Sequence, residues 1–177
     1  MDAALPVDAR VSLLLKQMTN AEKQAQTVHL TGCSFPDVLK TYGATGLGAC
    51  PGQGHGTSAS IAAQNANQAA ILNSSRLKIP VTFHYETLHS AGSGSTIFPM
   101  PCLQGATWDQ ELVGEVGAVI GAEASANGGD RGFSPEINVC TDPRFGRTEE
   151  NFGEVPATLT HPCSSSPEAR CASWREP

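Results

Sequence analysis

Two groups of charged residues could do chemistry where a β-strand of this 177-residue chain ends. One lies between Ser134 and Pro156, where an apolar segment breaks at Asp142-Pro143 into a loop with two arginines and three acids. The other is Glu86, directly after the apolar run Val81–Tyr85. A carboxylate accepts hydrogen bonds from two adjacent hydroxyl groups, and a guanidinium donates a fork of bonds to neighbouring oxygens. Charged loops at strand ends build the active-site rim of many α/β barrels.

The histidines on either side of Glu86 do not indicate a metal site. His84 and His89 are five positions apart across a strand end, whereas zinc proteases place two histidines four positions apart on one helix. The glycine-rich stretch 52–56 does not fit G-x-G-x-x-G, and we interpret it as a plain flexible loop. The sequence therefore predicts neither a metal nor another cofactor.

The elements that must position these residues alternate between helix and strand. Thr19-Asn20-Ala21-Glu22 is a capping-box signature for a helix start. The apolar residues of the first and last helices recur at helical spacing: Val11, Leu14, Leu15 and Met18 in the first, and Leu112, Val116, Val119 and Ile120 in the last. In order, we expect helices at 7–18 and from Thr19, a strand within 42–49, a helix at 60–72, a strand at 81–85, a helix at 109–127 and a strand at 133–140. This alternation predicts a parallel sheet with right-handed crossovers.

Composition narrows the class of protein. With 40% hydrophobic and 16% charged residues the chain is globular, and its net charge of −6 argues against a nucleic-acid partner. No apolar run approaches the roughly 20 residues of a membrane span, and no secretory signal is expected at the start of the sequence. The six dispersed cysteines predict buried thiols rather than a disulfide framework.

Four segments, in their order of occurrence, resemble the family 3 glycoside hydrolases, the β-glucosidase and β-xylosidase group. Residues 5–26 resemble the family's LP…RV…L…MT-x-x-EK-x-x-Q opening, and residues 75–89 its SRLGIP and E-x-LHG elements. Residues 96–109 resemble T-x-FP followed by ATWD, and residues 141–154 resemble RDPRWGR…E…GED. Each segment alone is a weak indication. Together they cover residues 5–156, and the chain is identified as a member of this family.

The resemblance implies an α/β fold: a partial TIM-like (β/α)8 barrel of roughly the first three βα units. Residues 1–156 would be the N-terminal portion of the catalytic barrel. Residues 157–177, rich in Ser and Pro and without periodicity, would be an unrelated irregular tail. Three strands cannot close a barrel of eight, so we expect an exposed apolar face, an unpaired sheet edge and marginal stability.

The activity that the resemblance implies is retaining hydrolysis of O-glycosyl bonds of terminal β-D-glucosyl or β-D-xylosyl residues. The partner would be a β-glucoside, a β-xyloside or an oligosaccharide. Glu86 aligns with the acid that accepts hydrogen bonds from the sugar in the glycone subsite, and Arg147 with the second arginine of the family loop. Both are predicted substrate-binding residues; the structural alternatives are a turn-capping carboxylate for Glu86 and a loop salt bridge for Arg147.

Three further residues have structural interpretations. For Arg144 we favour a salt bridge with an acid of its own loop, Asp142, Glu149 or Glu150. His89 could orient Glu86 or have a structural role. Glu123, on or near the apolar face of the last helix, is interpreted as a buried structural partner behind the barrel wall.

The sequence departs from the family pattern at Ser90, Thr141, Phe145 and Val155, which stand in place of Gly, Arg, Trp and Asp. The family's Lys-His pair, nucleophilic aspartate and acid/base have no counterpart in 157–177. We therefore expect no catalytic nucleophile or acid/base in the chain and no activity from it alone. Three interpretations follow: part of an active glycosidase, a non-catalytic sugar-binding or interaction fragment, or a chain that does not fold. Family members are often secreted.

Overall fold

The computed structural model describes residues 4–32, 34–52 and 57–154. The helices and strands are α1 (Val7–Gln17), α2 (Asn20–Gln26), α3 (Phe35–Tyr42), β1 (Ala49–Pro51), α4 (Ser58–Ser74), β2 (Thr82–Tyr85), α5 (Pro101–Gly105), α6 (Gln110–Ala126) and β3 (Arg131–Gly132). The strands form a three-stranded sheet in the order β1-β2-β3. Strands β2 and β3 are parallel, with His84 opposite Arg131 and Tyr85 opposite Gly132. The predicted α/β architecture with a parallel sheet is confirmed.

The chain divides into two compact units, and the first consists of residues 1–51 and 65–82. Its fully buried side chains include Leu47, Cys50, Ile71 and Val81. The side chain of Gln68, in α4, forms hydrogen bonds with both backbone groups of Val81. Its amide donates to the Val81 carbonyl at 2.9 Å, and its Oε1 accepts the Val81 N–H at 3.0 Å. The backbone N–H and carbonyl of buried Val81, directly before β2, are therefore hydrogen-bonded by a side chain.

Both N-terminal helices lie where the sequence predicts them. The capping box of α2 is confirmed: the Glu22 N–H donates to Thr19 Oγ1 at 3.2 Å, and the Thr19 N–H donates to the Glu22 carboxylate at 2.7 Å. Helix α1 is also confirmed, and its apolar face is not part of the core. No residue of α1 is buried, and Val11 and Leu15 are exposed.

The first strand is shifted from its predicted place. The expected strand within 42–49 is wrong, because Tyr42 ends helix α3 and the strand begins only at Ala49. Phe35 and Val38, three positions apart, bury one face of α3, which is a helical rather than a strand period. The chain then turns through Gly46 at φ +79°, a left-handed conformation that favours glycine.

The second unit consists of residues 52–64 and 83–177, described here to residue 154. The β2–β3 ladder is continued by backbone bonds from Asp130 N–H to the Phe83 carbonyl (2.8 Å) and from Phe133 N–H to the Tyr85 carbonyl (3.0 Å). The buried Tyr85 hydroxyl lies 3.1 Å from Gln64 Oε1 and 3.0 Å from the Asn127 carbonyl. These bonds hold the carboxyl end of β2, where Glu86 follows.

Helix α6 confirms the predicted helix at 109–127 and is capped by Asp109, whose carboxylate accepts the Leu112 N–H at 3.0 Å. Its apolar stripe is only half buried. Ile120 is buried in a cluster to which Val116 is joined, whereas Leu112 and Val119 are exposed. The periodicity therefore predicted the helix correctly, and only part of its apolar stripe lies in the core.

The third strand is β3 at 131–132, and the predicted strand in the apolar run Ile137–Cys140 is wrong. Ile137 and Val139 are 66% and 44% exposed. The ladder with β2 ends at Phe133, and Pro135 has no N–H with which to extend it. Within the described part of the chain the apolar run therefore pairs with no strand; it is flanked by an isolated bridge from Glu136 to Asn151 and contacts the Gly153 carbonyl through Cys140 N at 3.5 Å.

The cysteines do not all follow the prediction of free thiols. Cys102 and Cys140 are free, and Cys140 is buried as expected. Cys50 is disulfide-bonded, so the prediction is wrong there. No helix within the described ranges is long and apolar enough to cross a bilayer.

Candidate functional site

Glu86 is presented to solvent by the end of β2. The residues on either side of it, Tyr85 and Thr87, are buried, and Glu86 itself is exposed. The Thr87 side chain fills the space beside Gly132 of β3, where any Cβ would overlap it. Because successive side chains of an extended chain alternate in direction, packing Tyr85 and Thr87 inward directs Glu86 outward.

The arginine loop runs from Thr141 to Glu150 and is closed at its base. The Glu136–Asn151 bridge and a backbone contact of 3.5 Å from Cys140 N to the Gly153 carbonyl bring its two ends together. Two 3-10 turns, Pro143–Phe145 and Thr148–Glu150, form its body. Gly146 separates them at φ +84°, so this left-handed position favours glycine.

Arg144 forms a salt bridge with Asp142, as predicted. Its guanidinium contacts Asp142 at 2.5 Å, and its backbone N–H donates to Asp142 Oδ1 at 2.9 Å. The Arg144 side chain and backbone N–H hold the pKa of the Asp142 carboxyl below its usual value. Because the side chains of Arg144 and Asp142 are both exposed to water, the pair contributes to the conformation at the start of the loop but little to stability.

Arg147 is paired with two carboxylates, those of Glu150 and Glu136. Its Nε–H donates to Glu150 Oε1 at 2.8 Å, its Nη2 pairs with the other Glu150 oxygen, and Nη2 lies 3.5 Å from Glu136 Oε1. The hydrogen bond to Glu150 comes first among the causes that raise the pKa of Arg147, followed by the charges of Glu150, Glu136 and Glu86. Of these causes the charge of Glu86 is the smallest, and the direct contacts of Arg147 are with Glu150 and Glu136.

Arg147 forms the salt bridge that was the structural alternative, and it is still accessible to a ligand. Its side chain remains 60% exposed although Glu150 holds it. An exposed guanidinium of this kind still has N–H groups to donate to a sugar hydroxyl, and its carboxylate partner restricts the directions in which it does so. Sugar contact by Glu86 and Arg147 remains a prediction.

Sequence reasoning missed two residues around Arg147. Glu136 contributes the second carboxylate, and Asn151 is fully buried with its Nδ2 donating to the Arg147 carbonyl at 2.9 Å. An asparagine beside a charged turn often bonds a nearby backbone group, which is the signal that could have indicated Asn151. Nothing local in the sequence indicates Glu136, because it meets Arg147 only when the loop closes.

His89 and Glu123 have structural contacts. His89 Nδ1 lies 3.0 Å from the Phe98 carbonyl, which ties the turn after Glu86 to the segment that follows it. Glu123 accepts the Thr96 N–H at 2.8 Å and the Thr96 hydroxyl at 2.7 Å. The interpretation of Glu123 as a structural partner is confirmed, although it is half-buried rather than buried. Residues 53–56 of the glycine-rich loop lie outside the described residues.

The chain has an α/β architecture with a parallel β2–β3 pair and an exposed carboxylate at a strand end, a position at which α/β barrels place active-site residues. The sequence profile described as "Glycosyl hydrolase family 3 N terminal domain" matches residues 21–165, and the chain belongs to this family. Family membership, predicted from the four motifs, is confirmed.

The curated relatives include both types of enzyme in the predicted group. A "Putative beta-xylosidase" of Formosa agariphila is 31% identical over 167 residues, which are 86% of this chain and 22% of the relative. A "Probable exo-1,4-beta-xylosidase bxlB" of Aspergillus flavus is 48% identical over 73 residues, 38% of this chain and 9% of that protein. A "Periplasmic beta-glucosidase" of Salmonella typhimurium is 36% identical over 87 residues, 49% of this chain and 11% of that protein.

Solved structures that resemble the chain include two β-glucosidases. That of Erythrobacter marinus superposes with a TM-score of 0.79 at 27% identity, covering 96% of this chain and 23% of the other. That of Listeria innocua in complex with glucose gives a TM-score of 0.74 at 27% identity, covering 95% of this chain and 24% of the other. The partial barrel fold is therefore confirmed. The chain spans about a quarter of these proteins or less.

Proposed function

We propose that the chain is the first part of the catalytic barrel of a retaining β-glycosidase, and that Glu86 and Arg147 hold the glycone of a terminal β-D-glucosyl or β-D-xylosyl residue. The observation that carries this proposal is the exposure of Glu86 at the end of β2, together with the 60% exposure of the Arg147 side chain in the arginine loop. The names of the relatives, β-xylosidase and β-glucosidase, support the two sugars.

The two groups suit neighbouring hydroxyls of one sugar ring. The Glu86 carboxylate accepts from two adjacent hydroxyls, while Arg147 donates to ring or hydroxyl oxygens and stays charged at any working pH. Held in this way, a sugar loses freedom before the reaction, and orientation of this kind supplies a large share of an enzyme's rate enhancement.

We assign no described carboxylate to bond cleavage. Retaining hydrolysis needs two carboxyl groups about 5 Å apart on opposite sides of the anomeric carbon, one attacking it and the other protonating the leaving oxygen. Glu136 and Glu150 are instead committed to Arg147. The proposal is therefore that residues 1–156 supply glycone contacts of the barrel and that the 177-residue chain has no hydrolytic activity by itself. Residues 157–177, predicted from the sequence to be an unrelated tail, lie outside the described residues.

A second candidate function is non-catalytic sugar binding by the chain alone. It is favoured by the same geometry, because the binding groups are set by contacts within the second unit: β2, β3 and the closed base of the loop. Both candidates predict that glucose or xylose stabilises the folded chain, and neither predicts hydrolysis by the 177-residue chain itself. They differ in whether the sugar contacts serve a larger barrel that cuts the glycosidic bond.

The test is thermal unfolding of the purified chain with and without millimolar glucose or xylose, together with an assay on a chromogenic β-glucoside and β-xyloside. A sugar that binds only the folded state at 100 times its Kd stabilises it by about 2.7 kcal/mol, which is an easily measured rise in Tm. We expect this rise in the wild-type chain and in R144Q, and its loss in E86Q and R147Q. Hydrolysis by the chain would contradict the proposal of inactivity, and an unchanged rise in R147Q would contradict the binding role.

A further inference from the structure

The backbone of Arg147 is held from the base of its loop. Arg147 lies between the two 3-10 turns, and its carbonyl accepts from the Glu150 N–H at 3.2 Å and from Asn151 Nδ2 at 2.9 Å. The first bond belongs to the turn itself. The second comes from a side chain that is 0% exposed, so it ties the exposed part of the loop to the interior.

The base to which Asn151 belongs is firmly packed. Asn151 bridges to Glu136, and the neighbouring Phe152 is buried with its backbone carbonyl against Gly105 of α5. A Cβ at Gly105 would overlap that carbonyl, so the contact between backbones is as close as glycine permits. The donor of the hydrogen bond from Asn151 to Arg147 is therefore held in place by the packing around it.

We propose that Asn151 is a positioning residue, whose side-chain amide sets the backbone of Arg147 so that its guanidinium reaches Glu150 and the sugar together. This inference rests on the proposed function and names the residue on which the sugar-binding arginine depends. Glu150 and Glu136 hold the charged end of Arg147, and Asn151 holds its main chain. Without the amide, the arginine must be ordered by the sugar itself, and ordering a long side chain on binding weakens affinity.

The experiment compares N151L and N151A with N127L and N127A in the 177-residue chain. Asn127 is the matched control, because it is also a buried asparagine of the second unit, with Nδ2 bonded to Ser95 Oγ at 3.2 Å. Leucine keeps the shape of asparagine and removes its donor, and alanine replaces it where leucine prevents folding. Two quantities are measured: the Arg147 Nε–H signal by NMR, assigned by its loss in R147K, and the Kd for glucose and xylose.

In the wild-type chain the Arg147 Nε–H should be visible and slow to exchange because it donates to Glu150. We expect both Asn151 variants to lose this signal and to bind sugar about 5- to 10-fold more weakly. Both Asn127 variants should keep the signal and bind within about 2-fold of the wild type, even if their Tm falls.

Each other outcome has a defined meaning. A retained Nε–H signal with unchanged Kd in N151L or N151A overturns the positioning role. Equal losses in the Asn127 variants also overturn it, because the effect would then come from general destabilisation. If the signal is lost in the Asn151 variants but no chain, wild type included, binds sugar, the positioning role stands and the proposed function fails.

Discussion

Two arginine–glutamate pairs in this chain have the same chemistry and different surroundings. In the first unit, Arg76 donates from Nε to Glu22 Oε1 at 2.9 Å and from Nη2 to Glu22 Oε2 at 2.6 Å. In the second unit, Arg147 makes the same two-pronged contact with Glu150. Both are fork-to-carboxylate pairs, the strongest geometry available to these side chains.

The difference lies in how many other bonds each pair has. Glu22 is 4% exposed and also accepts the Thr19 N–H and hydroxyl, while Arg76 donates a third bond to the Gln17 carbonyl. This network is filled by protein groups. The two arginine side chains are similarly exposed, at 54% for Arg76 and 60% for Arg147, but the Glu150 side chain is 18% exposed against 5% for that of Glu22, and Glu136 is a further carboxylate 3.5 Å from Arg147. A pair whose carboxylate is buried and fully bonded stabilises the fold, whereas the more open Arg147–Glu150 pair remains available to a ligand.

The largest effect that separates the two pairs should come from R76L. It leaves the buried Glu22 carboxylate without its counter-charge, so we expect the Tm to fall by roughly 5–10 °C or the cooperative transition to be lost. The matched substitution R147L removes the more open pair and should change the Tm by about 1 °C or less. Thermal unfolding followed by circular dichroism measures both. Equal shifts would mean that burial does not distinguish the pairs.

The second effect is the acid stability of the first unit. Hydrogen bonds from Arg76 and from the Thr19 N–H lower the pKa of Glu22 from 4.5 to about 2. Because the folded-state pKa is the lower one, the stabilisation is fully present above the unfolded value of 4.5 and disappears as the pH falls toward 2.

The measurement for this prediction is the Tm of wild type and of E22Q between pH 2 and 7. Wild type should lose stability between pH 4.5 and 2 more steeply than E22Q, which has no carboxyl to protonate at this site. E115Q, an exposed position on α6, is the control and should follow the wild-type curve. Parallel curves for wild type and E22Q would show that the pair does not govern acid stability.

These pairs also show which parts of the structure the sequence could predict. The Thr19–Glu22 box was predictable because its partners are three positions apart, and Glu86 because it follows an apolar strand. Arg76 pairs with Glu22 across 54 positions, a contact that only folding creates. The error at Ile137–Cys140 has the same origin. An apolar run becomes a strand only where a neighbour accepts its backbone bonds, and β2 ends before it can do so.

A smaller effect, on binding rather than stability, should follow from E150Q. Glutamine keeps an oxygen for the Arg147 Nε–H but removes the charge that fixes the fork, so sugar affinity should fall about 2- to 5-fold. The Tm without sugar should stay within about 1 °C of wild type, because Arg147 is largely exposed. E22Q should do the reverse, with a lower Tm and unchanged affinity per folded molecule. Titration calorimetry beside thermal unfolding measures both.

The smallest effect should be that of the Asp142–Arg144 pair, whose arginine side chain is 89% exposed. Water and salt screen such a pair, so R144Q should leave the Tm within about 1 °C of wild type at low salt and at 1 M NaCl. D142N should behave similarly, because an amide oxygen still accepts the Arg144 N–H that begins the first turn. A salt-dependent Tm loss in R144Q but not in R147Q would reverse the comparison, and would make Arg144 the structural arginine of the loop.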